Sequence, residues 1–239
     1  MAKKLTKKEL KEPDEFQTFS MKVLQYVTEN RKRLYVLGAV FLVVVLAAGG
    51  YAYYQQSYEA KALELYTEAA NAVSLSPGPV LEETLKSYEK LVTAYPRSAV
   101  APLAHYHLGN LHYDRKEYTE AVEAYESFIA RASGREKDRF LVSLAHYGMA
   151  YSFENLKEYS KALEAFQRAA ETTVEPAFQA MMDRNMGRVS EAMGNVEKAR
   201  EYYEKSLVNL KDPLMEQVIR VILSRLGEPA SVRSVEKPS

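Results

Sequence analysis

No residue from Leu34 to Tyr58 carries a charge, and Leu34–Tyr54 (LYVLGAVFLVVVLAAGGYAYY) is the apolar centre of that run. Twenty-one residues at about 1.5 Å each span roughly 31 Å, against a bilayer hydrocarbon core of about 30 Å. Tyr35 stands near one end and Tyr51, Tyr53 and Tyr54 at the other, where interfacial aromatics belong. The pattern predicts a single transmembrane helix over 34–54. A cleaved signal peptide fits less well, because its n-region and apolar core would both be shorter. A buried core helix also fits less well, because charge-free runs of this length are rare in soluble domains. Ahead of the run, Phe16, Phe19, Val23 and Val27 recur at helical spacing behind Pro13-Asp14. This segment is either an interfacial amphipathic helix or a cytoplasmic extension of the membrane helix. Residues 1–12 (MAKKLTKKELKE) are expected to be disordered.

Beyond residue 55 the apolar positions take up helical periodicity, broken at regular intervals. Helices are expected at roughly 57–74, 80–94, 99–114, 117–132, 137–154, 158–172, 176–193, 195–209 and 213–226. Pro96, Pro176 and Pro213 follow predicted helix ends, and Pro77-Gly78-Pro79 interrupts the first pair. The last helix places Leu214, Val218, Val221, Ile222 and Leu226 on one stripe, as a cap over an open end would. Residues 228–239 are expected to form a flexible tail.

Self-similarity is the strongest signal. Tyr118-x-x-Ala121-x-x-x-Tyr125, Tyr159-x-x-Ala162-x-x-x-Phe166 and Val196-x-x-Ala199-x-x-x-Tyr203 align, with a weaker copy at Leu81-x-x-Thr84-x-x-x-Tyr88. The aromatic ladder Tyr88, Tyr125, Phe166, Tyr203 steps by 37, 41 and 37 residues. Twelve residues before each alanine stands another small residue, Gly109, Ala150 or Gly187, each preceded by Leu108, Met149 or Met186. These residues resemble the tetratricopeptide-repeat (TPR) pattern at its eighth, twentieth and twenty-fourth places. Two antiparallel helices approach closely where only Gly or Ala fits, and an aromatic one turn on locks the pair. The 41-residue step is accommodated by a longer loop at Ser133–Arg139 (SGREKDR). The expected fold is an all-α, TPR-like α-solenoid of about four helix pairs plus a C-terminal capping helix, preceded by a single transmembrane helix. The domains are 1–33 (basic cytoplasmic tail with a possible amphipathic helix), 34–54 (membrane), 55–227 (repeat domain) and 228–239 (tail).

Charge changes the picture through its distribution, since Lys+Arg and Asp+Glu both number 32. Residues 1–33 carry nine basic and five acidic side chains, leaving 23 basic and 27 acidic for 55–239. Arg31, Lys32 and Arg33 abut the apolar run, while the first basic residue beyond it is Lys61. The positive-inside rule then places the N-terminus in the cytoplasm and the repeat domain outside it. The tail, the lead-in ending Thr28-Glu29-Asn30-Arg31-Lys32, the single apolar helix, the Tyr/Gln-rich junction and the divergent repeats together resemble the ancillary SecYEG translocon subunit family of bacterial inner membranes. That resemblance implies a periplasmic repeat domain held beside SecYEG, working with a periplasmic chaperone on emerging proteins. A scaffold for cytochrome or outer-membrane assembly is the alternative.

Candidate chemistry is sparse. With no cysteine, disulfides, thiol catalysis, thiolate metal sites and a bacterial lipid anchor are excluded. His105, His112 and His146 invite a metal reading, but the fourth and eleventh repeat places that they occupy are packing positions in TPRs, and no carboxylate or thiolate cluster has ligand spacing. Glu117, Glu120, Glu123 and Glu126 form a row along one helix, a solvated outer face rather than an acid/base pair around a cleft. No phosphate loop, HExxH or GxSxG pattern occurs, and no basic-aromatic stripe points to nucleic acid. The reading is a non-enzyme with no cofactor and no metal.

The TPR resemblance implies that partners bind the concave face built from first helices. Its second, fifth, ninth, twelfth and thirteenth places fall on Tyr106, Asn110, Tyr113 and Asp114, then Tyr147, Tyr151, Glu154 and Asn155, then Arg184, Arg188 and Glu191. About half of the tyrosines are expected to be exposed. Arg184 and Arg188 are expected to form a positive patch beside the aromatic end. The carboxylate clamp of chaperone-binding TPRs is absent: Asn110 matches it, but Tyr106, Gly148 and Met181 stand where it needs Lys, Asn and Lys. The groove should therefore take extended or helical segments through apolar and aromatic contacts.

Overall fold

The computed structural model describes residues 15–75, 80–132 and 138–227, and every regular element in them is helical. In chain order these are α1 (Glu15–Glu29), α2 (Arg31–Leu75), α3 (Val80–Ala94), α4 (Ala101–Asp114), α5 (Tyr118–Ala132), α6 (Arg139–Asn155), α7 (Tyr159–Thr172), α8 (Pro176–Ala192), α9 (Val196–Val208) and α10 (Pro213–Gly227). The expectations for 1–12, for the Pro77-Gly78-Pro79 break, for most of the Ser133–Arg139 loop and for the 228–239 tail lie outside the described residues. The chain divides into two compact units, Met1–Ser57 and Tyr58–Ser239.

In the first unit, α1 ends just before Asn30, whose side-chain amide donates to the Tyr26 carbonyl at 3.0 Å, the acceptor that its own backbone N–H uses. Such local competition is why Asn favours helix ends. The α2 helix is long and apolar enough to cross a membrane, and its most apolar stretch is unburied. A break before a separate helix at 57–74 was expected from the sequence; instead α2 runs unbroken from Arg31 to Leu75. Residues 51–75 contain neither proline nor glycine, and Ala, Glu, Leu and Lys dominate 59–72, so nothing stops the helix.

In the second unit, α4/α5, α6/α7 and α8/α9 form helix pairs joined by three-residue turns. The turns repeat one geometry. Lys116, Lys157 and Gly194 take positive φ of 64°, 62° and 76°. The following amide reaches back five residues in each case, Glu117 to His112 O, Glu158 to Phe153 O and Asn195 to Ser190 O. This is the Schellman closure, which satisfies the last carbonyls of the first helix. Asn195 then caps α9 by accepting from the Lys198 amide at 3.1 Å.

The ladder aromatics are all core: Tyr88, Tyr125, Phe166 and Tyr203 are 3 % exposed or less. A Cβ on Gly109 would lie 2.6 Å from the Tyr125 ring, so any side chain there would have to push the buried ring aside. The cap differs from expectation. Helix α10 buries Ile219 and Leu226, with Met215, Ile222 and Leu223 partly covered. Leu214, Val218 and Val221, assigned to the covered stripe from sequence, are exposed. The helix is apolar on two faces, and the pattern alone could not choose which one meets α9.

Candidate functional site

Helices α4 and α6 are successive first helices, and their facing residues recur at three- and four-residue intervals. Tyr106, Asn110 and Tyr113 of α4 and Leu144, Tyr147, Gly148 and Tyr151 of α6 enclose a cavity of about 390 Å³ over Tyr125 of α5. The Tyr125 ring closely approaches both helices, at Gly109 of α4 and at Gly148 of α6. A Cβ on Gly148 would come 2.5 Å from its Cζ, so this glycine admits the ring between one helix pair and the next. Its hydroxyl donates to Asn110 Oδ1 at 2.6 Å.

The wall tyrosines are half-buried, and none stands free in solvent. Tyr106 meets Tyr125 and Phe128 at 6.0 and 5.5 Å between ring centres. Tyr147 and Tyr151 cross edge-on at 4.8 Å, and both rest on Phe166. Their hydroxyls form a chain, Tyr147 to Tyr151 at 3.4 Å and Tyr151 to Asn185 Oδ1 at 3.3 Å. Asn155 donates to the Tyr151 carbonyl at 2.8 Å and reaches Tyr113 Oη at 3.5 Å. Burial first, then the neighbouring hydroxyl, holds the Tyr147 phenol well above its usual range. Burial raises Tyr113 as well. Near neutral pH the Tyr113 and Tyr147 hydroxyls are therefore protonated.

Five of the residues picked from sequence, Tyr106, Asn110, Tyr113, Tyr147 and Tyr151, share this one cavity. Glu154 adjoins it and is engaged by Arg188 of α8, whose second nitrogen donates at 2.8 Å. The Arg188 guanidinium also lies 5.7 Å from the Tyr151 ring centre. Arg184 points to Met215 Sδ of α10, and Glu191 accepts from Tyr203 and Arg225. The expected positive patch is reduced to Arg184: the charge of Arg188 is matched by Glu154, a pairing that sequence register does not disclose. Leu144, Gly148 and Tyr125 were not predicted for the groove. The signal for Gly148 is a second glycine facing the ladder aromatic of the preceding pair.

The histidines lie in packed or hydrogen-bonded settings. Burial pushes His105 and His146 down to about 4, with Arg131 and Arg168 adding to the effect, so both are neutral. His107 stacks on Tyr88 at 5.3 Å and pairs with Tyr66 Oη at 3.0 Å. His112 Nδ1 lies 2.8 Å from Glu117 at the α4/α5 turn. Among the described residues, no three His, Asp or Glu side chains converge as a metal site requires.

Residues 25–228 match the tetratricopeptide repeat-like domain family, a span that takes in α2 as well as the helix pairs. The chain belongs to this family. Among solved structures, MamA 41-end from Desulfovibrio magneticus RS-1 superposes with a TM-score of 0.51 at 18% identity, covering 62% of this chain and 75% of that one. A tetratricopeptide repeat protein from Parabacteroides merdae ATCC 43184 superposes with a TM-score of 0.57 at 18% identity, covering 72% of this chain and 60% of that one. At these identities the likeness is one of fold. No curated protein matches this tetratricopeptide repeat-like chain in sequence.

Proposed function

We propose that this protein is a membrane-tethered docking scaffold that binds protein segments in the Tyr106–Tyr151 groove and performs no chemistry. The observation that carries the reading is the groove itself: half-buried tyrosines on adjacent first helices around a cavity of about 390 Å³. Tyrosine suits this role because it buries a large area while its hydroxyl keeps a partner. With Arg188 matched by Glu154, the preferred occupant is an apolar or aromatic segment offering a few acceptors to phenol hydroxyls.

In the finer form of the proposal, α2 crosses the inner membrane with the N-terminus cytoplasmic, and the repeats face the periplasm beside SecYEG and a periplasmic chaperone. The Arg31–Arg33 cluster before the apolar run and the layout of the chain support it. A photo-crosslinking residue at Tyr113 or Tyr147 of the full chain in membranes should yield adducts with translocon subunits or a periplasmic chaperone. The same residue at outer-face Glu123 should yield none. Adducts from Glu123 alone would move the docking surface to the other face, and adducts only with unrelated envelope proteins would reject the translocon assignment. Protease added to intact spheroplasts should remove residues beyond about 57 and spare the N-terminus; a protected C-terminal unit would contradict the topology.

A further inference from the structure

A second cleft, of about 510 Å³, opens where α7 and α9 pass over α8. Its floor holds Asp183, 3 % exposed, and the side of Met186, 2 % exposed. Asp183 occupies the fourth repeat place, which the preceding repeats give to His105 and His146, both uncharged. A buried carboxylate is costly unless it is paired and hydrogen-bonded. Here the pairing is lopsided: Lys205 Nζ stands 2.9 Å from Oδ1, yet the lysine side chain is 62% exposed while the carboxylate that it meets is buried. Burial raises the Asp183 carboxyl in spite of the lysine.

The cleft has the makings of a site for an incoming cation. Its lining carries two carboxylates, Asp183 and Glu171, against the single ammonium of Lys205. Ala170, Met186 and Tyr202 supply apolar walls along which an aliphatic stem can lie. Val208, 78% exposed at the rim, offers contact to a neighbouring apolar side chain. A guanidinium is the group that best satisfies a buried carboxylate, because its planar fork donates two parallel hydrogen bonds where a hydrated ammonium gives a point charge. The volume lies within the range of ligand pockets.

We propose that this cleft is a second protein-binding site, distinct from the tyrosine groove, that captures an arginine side chain of a partner segment on Asp183 with an adjoining apolar residue against Val208. Lys205 acts as the occupant of the empty site and is displaced outward by the arriving arginine. The alternative is a Lys205–Asp183 pair that serves the fold alone, and the two make opposite predictions.

The test uses the full chain in nanodiscs with ¹³C-labelled methionine methyls, titrated with the peptide Ac-Leu-Arg-Leu-NH₂. The Met186 methyl should shift saturably. Ac-Leu-Gln-Leu-NH₂ and Ac-Leu-Glu-Leu-NH₂ should bind at least tenfold more weakly. Asp183→Asn should weaken the arginine peptide tenfold or more with no fall in Tm, while Lys205→Gln should bind it several-fold more tightly. A chain carrying Tyr147→Leu and Tyr151→Leu should bind it as the wild type does, which keeps this site separable from the groove. Equal binding of the glutamine peptide, undiminished binding by Asp183→Asn, or loss of binding in the tyrosine variant would overturn the proposal. So would a wild-type chain with no saturable shift in which Asp183→Asn lowers Tm, since that result assigns the pair to the fold.

Discussion

His146 and Asp183 hold the same place in successive repeats, and the two regions around them are built on different terms. Around His146 the middle of the solenoid is cemented by aromatic packing: Phe166 and Phe128 are 0 and 1 % exposed, with Tyr147, Tyr151 and Tyr106 leaning on them. Around Asp183, towards the C-terminal end, adjacent helices are joined by charges, Arg188 to Glu154, Lys205 to Asp183 and Arg225 to Glu191. The terminal helix leaves Leu214, Val218 and Val221 uncovered. One repeat register thus carries two chemistries. Packed rings give a stiff frame for a groove, while paired charges respond to salt and pH and can be exchanged for a partner's.

The largest effect that would break this comparison concerns the cores. Phe166→Ala should cost about 3–5 kcal/mol, because the ring is fully buried in the α5–α8 core and its removal leaves a cavity that cannot collapse. Tyr203→Ala, at the aligned place in the last pair, should cost less, since it has repeat neighbours on one side and the small α10 cluster on the other. Urea denaturation followed by circular dichroism measures both, and equal losses would erase the distinction. Next in size, Gly148→Ala should lower stability by about 1–3 kcal/mol, because the added methyl meets the buried Tyr125 ring. An unchanged Tm would show that the ring moves freely.

The two residues at the shared place should also respond oppositely to pH. The folded pKa of His146 is depressed to about 4 by burial. Its stabilising contribution is complete above the ordinary histidine value of about 6.5 and is lost as pH falls from there towards 4. Asp183 is raised by burial, so its contribution is greatest in acid. That contribution declines as pH rises through the ordinary carboxylate range to its folded value. Denaturation between pH 7 and pH 4 should therefore show His146→Gln flattening the acid loss by about 1–3 kcal/mol and Asp183→Asn steepening it. Parallel curves for the two variants would contradict the contrast. The smallest effect belongs to the turns: Lys157→Gly should stabilise by about 0.5–1 kcal/mol, relieving a left-handed conformation at φ 62° that Gly194 already meets without strain in the last pair.

Much of the architecture was legible because repeat periodicity and the small-residue/aromatic pairing are local signals repeated several times. Helices α3 to α10 fall within two residues of the expected positions, and the tyrosines chosen by register do share a cavity. Three features were not legible, each for a physical reason. The junction of α2 has no breaker, yet a change of hydropathy at residue 55 looks like a boundary. Helix α10 has apolar side chains on two faces, and periodicity cannot say which is covered. The Arg188–Glu154 pair joins residues 34 apart, and only the docking of α6 against α8 brings them together. The same holds for the half-buried state of Tyr147 and Tyr151. Their contact with Phe166 makes alanine truncation a test of packing as well as binding, so leucine is the cleaner substitution.

The central claim, that the tyrosine groove is the docking surface, is tested most directly by affinity. The partner segment trapped at Tyr147 can be synthesised and its binding to the full chain measured by fluorescence anisotropy, alongside Tm. The account predicts that Tyr147→Leu with Tyr151→Leu weakens binding about thirtyfold, the equivalent of about 2 kcal/mol, while the fold persists and Glu123→Lys binds normally. Normal binding by the tyrosine variant together with lost binding by Glu123→Lys would contradict it and place the function on the outer face.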